Sequence, residues 1–329
     1  MEISRKTFIK TSGLAAAGMI VGSRASANTY NEKGTHQEPQ ARQQPNAQQR
    51  AAALAQQNTL KEPITAKGKI GTMVISRLIL GGNPFGGWMH SRDLRYVGAL
   101  ANAYLTDDKK MQIFQMAENC GIDTILGHPV MIPVLNTYWS KGIGKIKWIS
   151  DCGGDFPLAA QQSMDGGCAA GYCQGETTDR LVQQGDFKTI ERGLDLLRKA
   201  GLPAGIGAHR IESLKACVAN GLIPDFWMKT THHHNYWSAK PGEPERDNIY
   251  CRDPEETIKF FETRKEPYIA FKVLAAGAIP PADGIRFGLE AAGGDFICLG
   301  MFDFNMIQDV NIFNEVMADL GKRKRAWCA

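Results

Sequence analysis

Lys199-Ala200-Gly201-Leu202-Pro203-Ala204-Gly205-Ile206-Gly207-Ala208-His209 compresses a helix end, a glycine stop and a short apolar strand into one stretch. The glycine suits the left-handed turn that commonly ends a helix. The same order recurs at Glu118-Asn119-Cys120-Gly121-Ile122-Asp123-Thr124, at Ala219-Asn220-Gly221-Leu222 and at Ala291-Ala292-Gly293-Gly294-Asp295. Extended along the chain, the pattern predicts strands at Arg77–Gly81, Ile122–Leu126, Ile146–Asp151, Ala169–Gln174, Ala204–His209, Asp225–Lys229, Tyr268–Leu274 and Asp295–Met301. Helical stretches are predicted at 107–120, 131–142, 158–166, 186–200, 211–220, 253–264, 282–292 and 308–322. Strands separated by helices imply parallel βαβ units, and eight such units match barrel closure better than an open doubly wound sheet. An open sheet of the dinucleotide-binding kind would also favour a G-x-G-x-x-G after the first strand, and none is present. The expected fold class is α/β, a (β/α)8 TIM barrel over residues 63–329.

The barrel is expected to follow two other segments. Residues 1–27 read as a secretory signal peptide, with a basic start, an apolar run from Leu14 to Gly22 and a small-residue site at Ala25-Ser26-Ala27. Ser4-Arg5-Lys6-Thr7-Phe8-Ile9-Lys10 resembles a twin-arginine export signal with Lys6 in place of the second arginine, and an ordinary Sec signal is the alternative. Residues 28–62 are rich in Gln, Asn, Ala and Glu without an apolar period, the composition of a disordered linker. No later stretch reaches eighteen apolar residues, so the mature protein is expected to be periplasmic or otherwise extracytoplasmic, with no stable membrane insertion after signal cleavage. A formal charge of +4 is too small for a nucleic-acid footprint. The eight cysteines include no C-x-x-C, which removes zinc-finger and thioredoxin readings; they either pair in an oxidising compartment or serve as small buried apolar residues.

In a barrel of this kind the loops after the strands build the active site. The first strand is followed by a glycine-rich loop carrying Asn83, Phe85, Trp88, His90, Arg92 and Asp93. His128 follows the second strand, Asp151 ends the third, and Gln174, Glu176 and Asp179 follow the fourth. His209 ends the fifth, above Gly205 and Gly207, which are expected to leave open space beneath it. Lys229 and the run His232-His233-His234-Asn235-Tyr236-Trp237 come with the sixth. If Ile269, Phe271 and Val273 face the helices, Lys272 points into the barrel, where a lysine must be paired or have a lowered pKa. It could pair an acidic neighbour such as Asp303, after the eighth strand, neutralise an anionic substrate group, act as a base or form a Schiff base. His232 and His234 share a face in extended backbone, so His209, His232, His234 and Asp151 form the expected set for a divalent metal (Zn, Mn, Fe or Ni). The segment Lys272–Ile279 together with Leu299–Met301 looks like the loops with which such barrels hold phosphate, but phosphorylated sugars are scarce outside the cytoplasm, so its backbone N–H groups are expected to meet a sugar hydroxyl or a carboxylate.

Val74-Ile75-Ser76-Arg77-Leu78-Ile79-Leu80-Gly81-Gly82-Asn83-Pro84-Phe85-Gly86-Gly87 resembles the first strand of the aldo/keto reductase superfamily. That resemblance implies NADP-dependent carbonyl reduction by a tyrosine acid with Asp, Lys and His partners. Asp123-Thr124 stands where the family keeps its aspartate, but the tyrosine is missing from Ile125–Pro129, and Ser150-Asp151 and Cys173-Gln174 replace the lysine and the histidine. His209, His232 and Asp303 resemble part of the metal set of amidohydrolase barrels, although Asn83-Pro84-Phe85 replaces the H-x-H of that family. Stretches such as His232-His233 with Tyr236-Trp237, and Lys272–Ala278, are similar to those of a group of exported bacterial barrel proteins, a likeness that implies no activity.

These residues point first to a metal-assisted lyase, isomerase or epimerase acting on a small carbohydrate or related polyhydroxy compound. The metal would polarise a carbonyl or hydroxyl while Lys272, Asp303 or His233 moves a proton. Asn83, His90, Arg92, His128, Gln174, Lys229, Tyr236 and Trp237 are the expected substrate-binding residues. The alternatives are an aldo/keto-reductase-like oxidoreductase using NADP, and a glycan-binding barrel without catalysis.

Overall fold

The computed structural model describes residues 58–91, 94, 96–239 and 249–329, all within the unit Ala47–Ala329. The expected signal peptide, the expected linker up to residue 57, and Arg92 lie outside the described residues. The chain is already docked at Thr59, whose carbonyl accepts from Asn311 Nδ2 (2.9 Å), and Lys61 N donates to Asn311 Oδ1 (3.0 Å).

An antiparallel hairpin, β1 (Lys67–Ile70) and β2 (Met73–Ser76), precedes the barrel. The barrel strands are β3 (Leu78–Gly81), β4 (Thr124–Gly127), β5 (Lys147–Cys152), β6 (Ala170–Cys173), β7 (Ala204–Ala208), β8 (Phe226–Thr230), β9 (Tyr268–Phe271) and β10 (Phe296–Leu299). They close in chain order, β10 pairing β3, with every pair parallel. The helices are α1 (Asn83–Gly86), α2 (Tyr96–Tyr104), α3 (Asp107–Asn119), α4 (Ile132–Ser140), α5 (Phe156–Asp165), α6 (Gly175–Gln183), α7 (Phe187–Lys199), α8 (Ile211–Ala219), α9 (Pro254–Glu262), α10 (Pro281–Arg286) and α11 (Asp303–Ala318). The (β/α)8 barrel expected from the glycine stops is therefore the fold. The hairpin and α1, α2 and α6 were not anticipated by the pattern, and α11 begins five residues earlier than 308.

Local chemistry explains several boundaries. Thr106 caps α3 by accepting from Lys109 N, with Asp107 and Asp108 in the first turn, where carboxylates favour the helix dipole. Asp155 and Asp186 cap α5 and α7 in the same way. Each of the four quoted glycine stops has a positive φ: Gly121 (83°), Gly201 (77°), Gly221 (77°) and Gly293 (71°).

The strands alternate between two apolar layers. Ile79, Leu126, Ile149, Tyr172, Phe226, Met228, Ile269 and Phe296 form a cluster without helix residues, the barrel interior. Their neighbours Leu80, Ile125, Trp148, Ile206, Trp227, Ala270 and Ile297 pack with the helices. The expected space over the strand glycines is filled. A Cβ on Gly205 would stand 2.5 Å from Phe226 Cζ, and one on Gly207 would stand 2.8 Å from Tyr172 Cε2. Both glycines make room for aromatic rings and leave no hollow under His209.

Ile70 and Ile75 of the hairpin join the interior cluster. Ser76 bonds Asp123, just ahead of β4, and Arg77 bonds the carbonyl of Asp295, just ahead of β10. The hairpin thus plugs the N-terminal end of the barrel, and the chemistry is left to the opposite mouth. Among the described residues no helix is long and apolar enough to cross a membrane. All eight cysteines are unpaired, seven of them buried.

Candidate active site

Lys272 reaches the mouth by a route that strand alternation does not provide. Ile269 faces the interior and Ala270 the helices, the reverse of the expected parity, so a continued strand would turn Lys272 outward. β9 ends at Phe271, and Lys272 takes a left-handed conformation with φ 57°. Lysine adopts this region at a cost of about 1–2 kcal/mol. Lys272 Nζ then lies 3.3 Å from His90 Nε2 and 4.2 Å from the centre of the Tyr250 ring. The Tyr250 hydroxyl is 3.2 Å from His90 Nδ1, which completes a lysine–histidine–tyrosine chain. Burial, with help from Lys272 and His209, holds His90 down at about 4, so its ring is neutral. Burial also lowers Lys272 to about 8; Glu176 opposes the shift and Lys229 adds to it.

Beside this chain stands a second pair. His209 Nδ1 lies 3.2 Å from Asp179 Oδ2, and the same carboxylate accepts from His209 N (3.1 Å) and Ser213 Oγ (2.6 Å). Burial would raise Asp179, but the bonds from His209 and Ser213 outweigh it and hold the carboxyl below its usual range. Asp179 comes from α6, whose N-cap is Gln174: Oε1 accepts from Thr177 N at 3.1 Å. Gln174 thus builds the helix that delivers Asp179. A cavity of about 570 Å³ opens over the ends of β7 and β8, lined by His90, His209, Lys229 and Tyr250 among others.

The histidine run after β8 is spent mostly on architecture. His232 is fully buried; Nδ1 donates to His233 O (2.9 Å), and Nε2 accepts from Tyr250 N (3.0 Å) and Cys251 N (2.9 Å). His234 Nε2 donates to Cys251 O (2.6 Å). The two rings lie 5.9 Å apart, and together they pin the segment that presents Tyr250. His233 Nδ1 accepts from Asn235 N, its ring packs edge-on against Phe287, and Nε2 lies 3.3 Å from Asp283 Oδ2 without the alignment for a hydrogen bond. Tyr236 packs edge-on against His232 and His233, while Trp237 is 80% exposed.

Asp151 sits on the interior face of β5, buried, with Oδ1 lacking a hydrogen-bond partner; desolvation pushes its pKa well above the carboxylate range. Among the described residues no three His, Cys, Asp or Glu side chains are arranged to hold a metal ion. The donors do not fit the expected site, because His232 has committed both ring nitrogens and Asp151 points into the barrel.

Asp303 does not pair with Lys272. It opens α11 and binds Tyr104 Oη (2.7 Å) and Lys109 Nζ (3.1 Å), tying three helices together. Asp123 lies ahead of β4 at the plugged end, bonded to Lys67, Ser76 and Lys147, so it supplies no carboxylate to the mouth. Asn83 begins α1, its carbonyl accepting from Trp88 N. His128 caps the 3-10 turn Pro129–Met131 and packs edge-on against Trp88, away from the Lys272 cluster. The expected anion cradle is occupied by the chain itself: Ala275, Gly277 and Ile279 donate to the carbonyls of Lys272 and Leu274. Tyr250, Ser213, Arg210 and Arg252 are residues of this site that the sequence did not single out.

No protein-family model matches the chain, and no curated protein matches it in sequence. Two solved structures assigned to the aldo-keto reductases, from Pseudomonas aeruginosa, are similar in fold. One has a TM-score of 0.56 at 14% identity, covering 78% of this chain and 98% of its own. The other has 0.55 at 14%, covering 79% and 98%. A truncated 3-deoxy-D-arabino-heptulosonate 7-phosphate synthase from Thermotoga maritima stands at 0.46 and 10%, covering 80% and 95%. What this chain shares with these proteins is the (β/α)8 barrel.

Proposed function

We propose that the chain is an enzyme of the lyase or isomerase type, acting on the carbonyl group of a small polyhydroxy compound through Lys272. The observation that carries this reading is the Lys272–His90–Tyr250 chain at the barrel mouth, with an amine lowered to about 8. A lysine amine at that value is partly neutral near neutral pH and therefore nucleophilic. It adds to the carbonyl carbon, and loss of water leaves a protonated imine. That cation accepts the electron pair released when the adjacent carbon loses a proton, or when the next carbon–carbon bond breaks. His209, oriented by Asp179, is the base for that proton, in the manner of a histidine fixed by a carboxylate. His90 and Tyr250 relay the protons that the amine and the departing water exchange.

Borohydride trapping tests the reading. Dihydroxyacetone, glyceraldehyde and pyruvate are each incubated with the protein, reduced, and the adduct is located by peptide mass spectrometry. A stable adduct on Lys272, lost in Lys272→Met, is the expected result. No adduct with any of the three, or one spread over surface lysines, would overturn it.

A further inference from the structure

Lys229 is a buried amine that meets no carboxylate among the described residues. It is 1% exposed, yet its ammonium meets only two backbone carbonyls, His209 O at 2.6 Å and Thr230 O at 2.8 Å. The protonated form has three N–H donors, one more than the two carbonyls take, and Lys229 lines the 570 Å³ cavity. Among the described residues no carboxylate forms a salt bridge with it; burial lowers its pKa, and Cys251, Asp179, Glu212 and Asp253 oppose that only from a distance. Burying an uncompensated cation is expensive, and such groups are normally paired. The rest of the wall is balanced, two cations against two carboxylates, so Lys229 alone tips it toward an anion. Arg210 and Arg252 line the cavity without a carboxylate partner among the described residues, against Glu212 and Asp253 on the opposite side of the balance. A neutral sugar would leave Lys229 without a counter-charge, whereas an oxyanion would favour its protonated form and accept the third N–H.

We propose that the molecule taken up at this mouth carries an oxyanion, a carboxylate or a phosphate, that seats on Lys229 with Arg210 and Arg252 at the rim. This deepens the carbonyl reading and rests on it for the position of the reacting carbon. The anion occupies the β7–β8 side of the cavity and its carbonyl faces Lys272. An acidic polyhydroxy or keto compound is the substrate class, in place of a neutral sugar.

Calorimetric titration tests this in Lys272→Met, so that no covalent adduct forms and the outcome is independent of trapping. Matched pairs are compared: D-glucuronate with D-glucose, pyruvate with dihydroxyacetone, and glycerone phosphate with dihydroxyacetone. The anionic member of at least one pair is expected to bind about tenfold or more tightly. Whether the carboxylates or the phosphate win identifies the oxyanion. Introducing Lys229→Met should erase the preference, and Arg210→Ala with Arg252→Ala, at exposed positions, should weaken it if Lys229→Met does not fold. Equal affinity within every pair, absence of binding by all anions at about 10 mM, or a preference that survives in a folded Lys229→Met protein would overturn the proposal. An adduct on Lys272 without anion preference would leave the carbonyl reading standing and remove this one.

Discussion

Lys272 Nζ lies 3.3 Å from His90 Nε2, although 182 residues separate the two in sequence. The contact joins the loop after the first barrel strand to the end of the seventh, and it depends on the left-handed turn at Lys272. Because His90 is neutral and Lys272 is lowered to about 8, the native amine loses its proton well before an ordinary lysine near 10.4. The rate of Lys272 acylation, followed by peptide mass spectrometry, should rise through about pH 8 in the folded protein and only near the ordinary value in denaturant. Glu176→Gln removes a carboxylate that favours the ammonium and should move the rise below about 8. Stability follows the same linkage: the unfolded chain keeps a proton that the native state has lost between about 8 and 10.4, so this group's contribution grows with pH over that window. A native profile centred near the ordinary lysine value contradicts the site.

The backbone at Lys272 makes a separate prediction. Glycine takes a φ of 57° freely, whereas alanine meets the same steric penalty as lysine. Lys272→Gly should therefore be more stable than Lys272→Ala by about 1 kcal/mol in urea denaturation. Equal stabilities would mean that this turn is not left-handed in solution.

Asp179 joins stability to chemistry. Asp179→Ala leaves His209 N, His209 Nδ1 and Ser213 Oγ without their acceptor, at a cost of about 2–3 kcal/mol. Its folded pKa is depressed, so its contribution is complete above the unfolded value of about 3.9 and is lost as pH falls through the lower native value. The variant should show a flatter acid limb in its stability curve. Trapping on Lys272 should survive, while exchange of the substrate's adjacent hydrogen with deuterated solvent should slow by about 100-fold. Unchanged exchange would remove His209 from the role of base.

The barrel was legible because its signals are local. A glycine after a helix and an apolar run after that glycine are each decided within a few residues, as at Gly201 and Ala204. The helix α6 was missed because it starts at Gly175, directly after β6, and is parted from α7 by a short turn at Gly185, so the two merge into one polar stretch. The parity of β9 was misread because a left-handed lysine carries no mark that distinguishes it from an extended one. Lys272 was found at the mouth for the wrong geometric reason. The histidine run shows a further limit: metal ligand and backbone clamp use the same ring nitrogens, and only the position of Tyr250 and Cys251 separates the two.

That clamp is open to test. His232→Leu keeps an apolar ring-sized volume but removes the acceptor of two backbone N–H groups, which should cost about 2–4 kcal/mol. Amide exchange at Tyr250 and Cys251 should accelerate more than exchange at barrel-strand amides such as Ile206. Since His232 contacts neither Lys272 nor His90 in a hydrogen bond, the yield of adduct on Lys272 should fall through loss of Tyr250 placement, and Tyr250→Phe should reproduce the part due to its hydroxyl. Exchange that quickens uniformly across the barrel would point to global destabilisation instead.

Asp151 is kept at a cost to the fold. Its carboxyl is buried on the interior face of β5, with one oxygen unpartnered, and desolvation holds it protonated well above the carboxylate range. Below about 3.9 both the folded and unfolded chains carry the proton. As pH rises past that value, the unfolded carboxyl ionises while the native one does not, so stability declines until the native pKa is reached. Asp151→Asn has nearly the same shape and no ionisation. It should match the parent near pH 4 and exceed it by about 1–3 kcal/mol near pH 8, measured as unfolding free energy in urea. If the protonated carboxyl donates to a molecule bound at the mouth, the same variant should lose hydrogen exchange on that molecule while gaining stability. Unchanged exchange with a gain in stability would make Asp151 a packing residue, and a loss of stability at pH 8 would mean that its carboxylate is paired in solution.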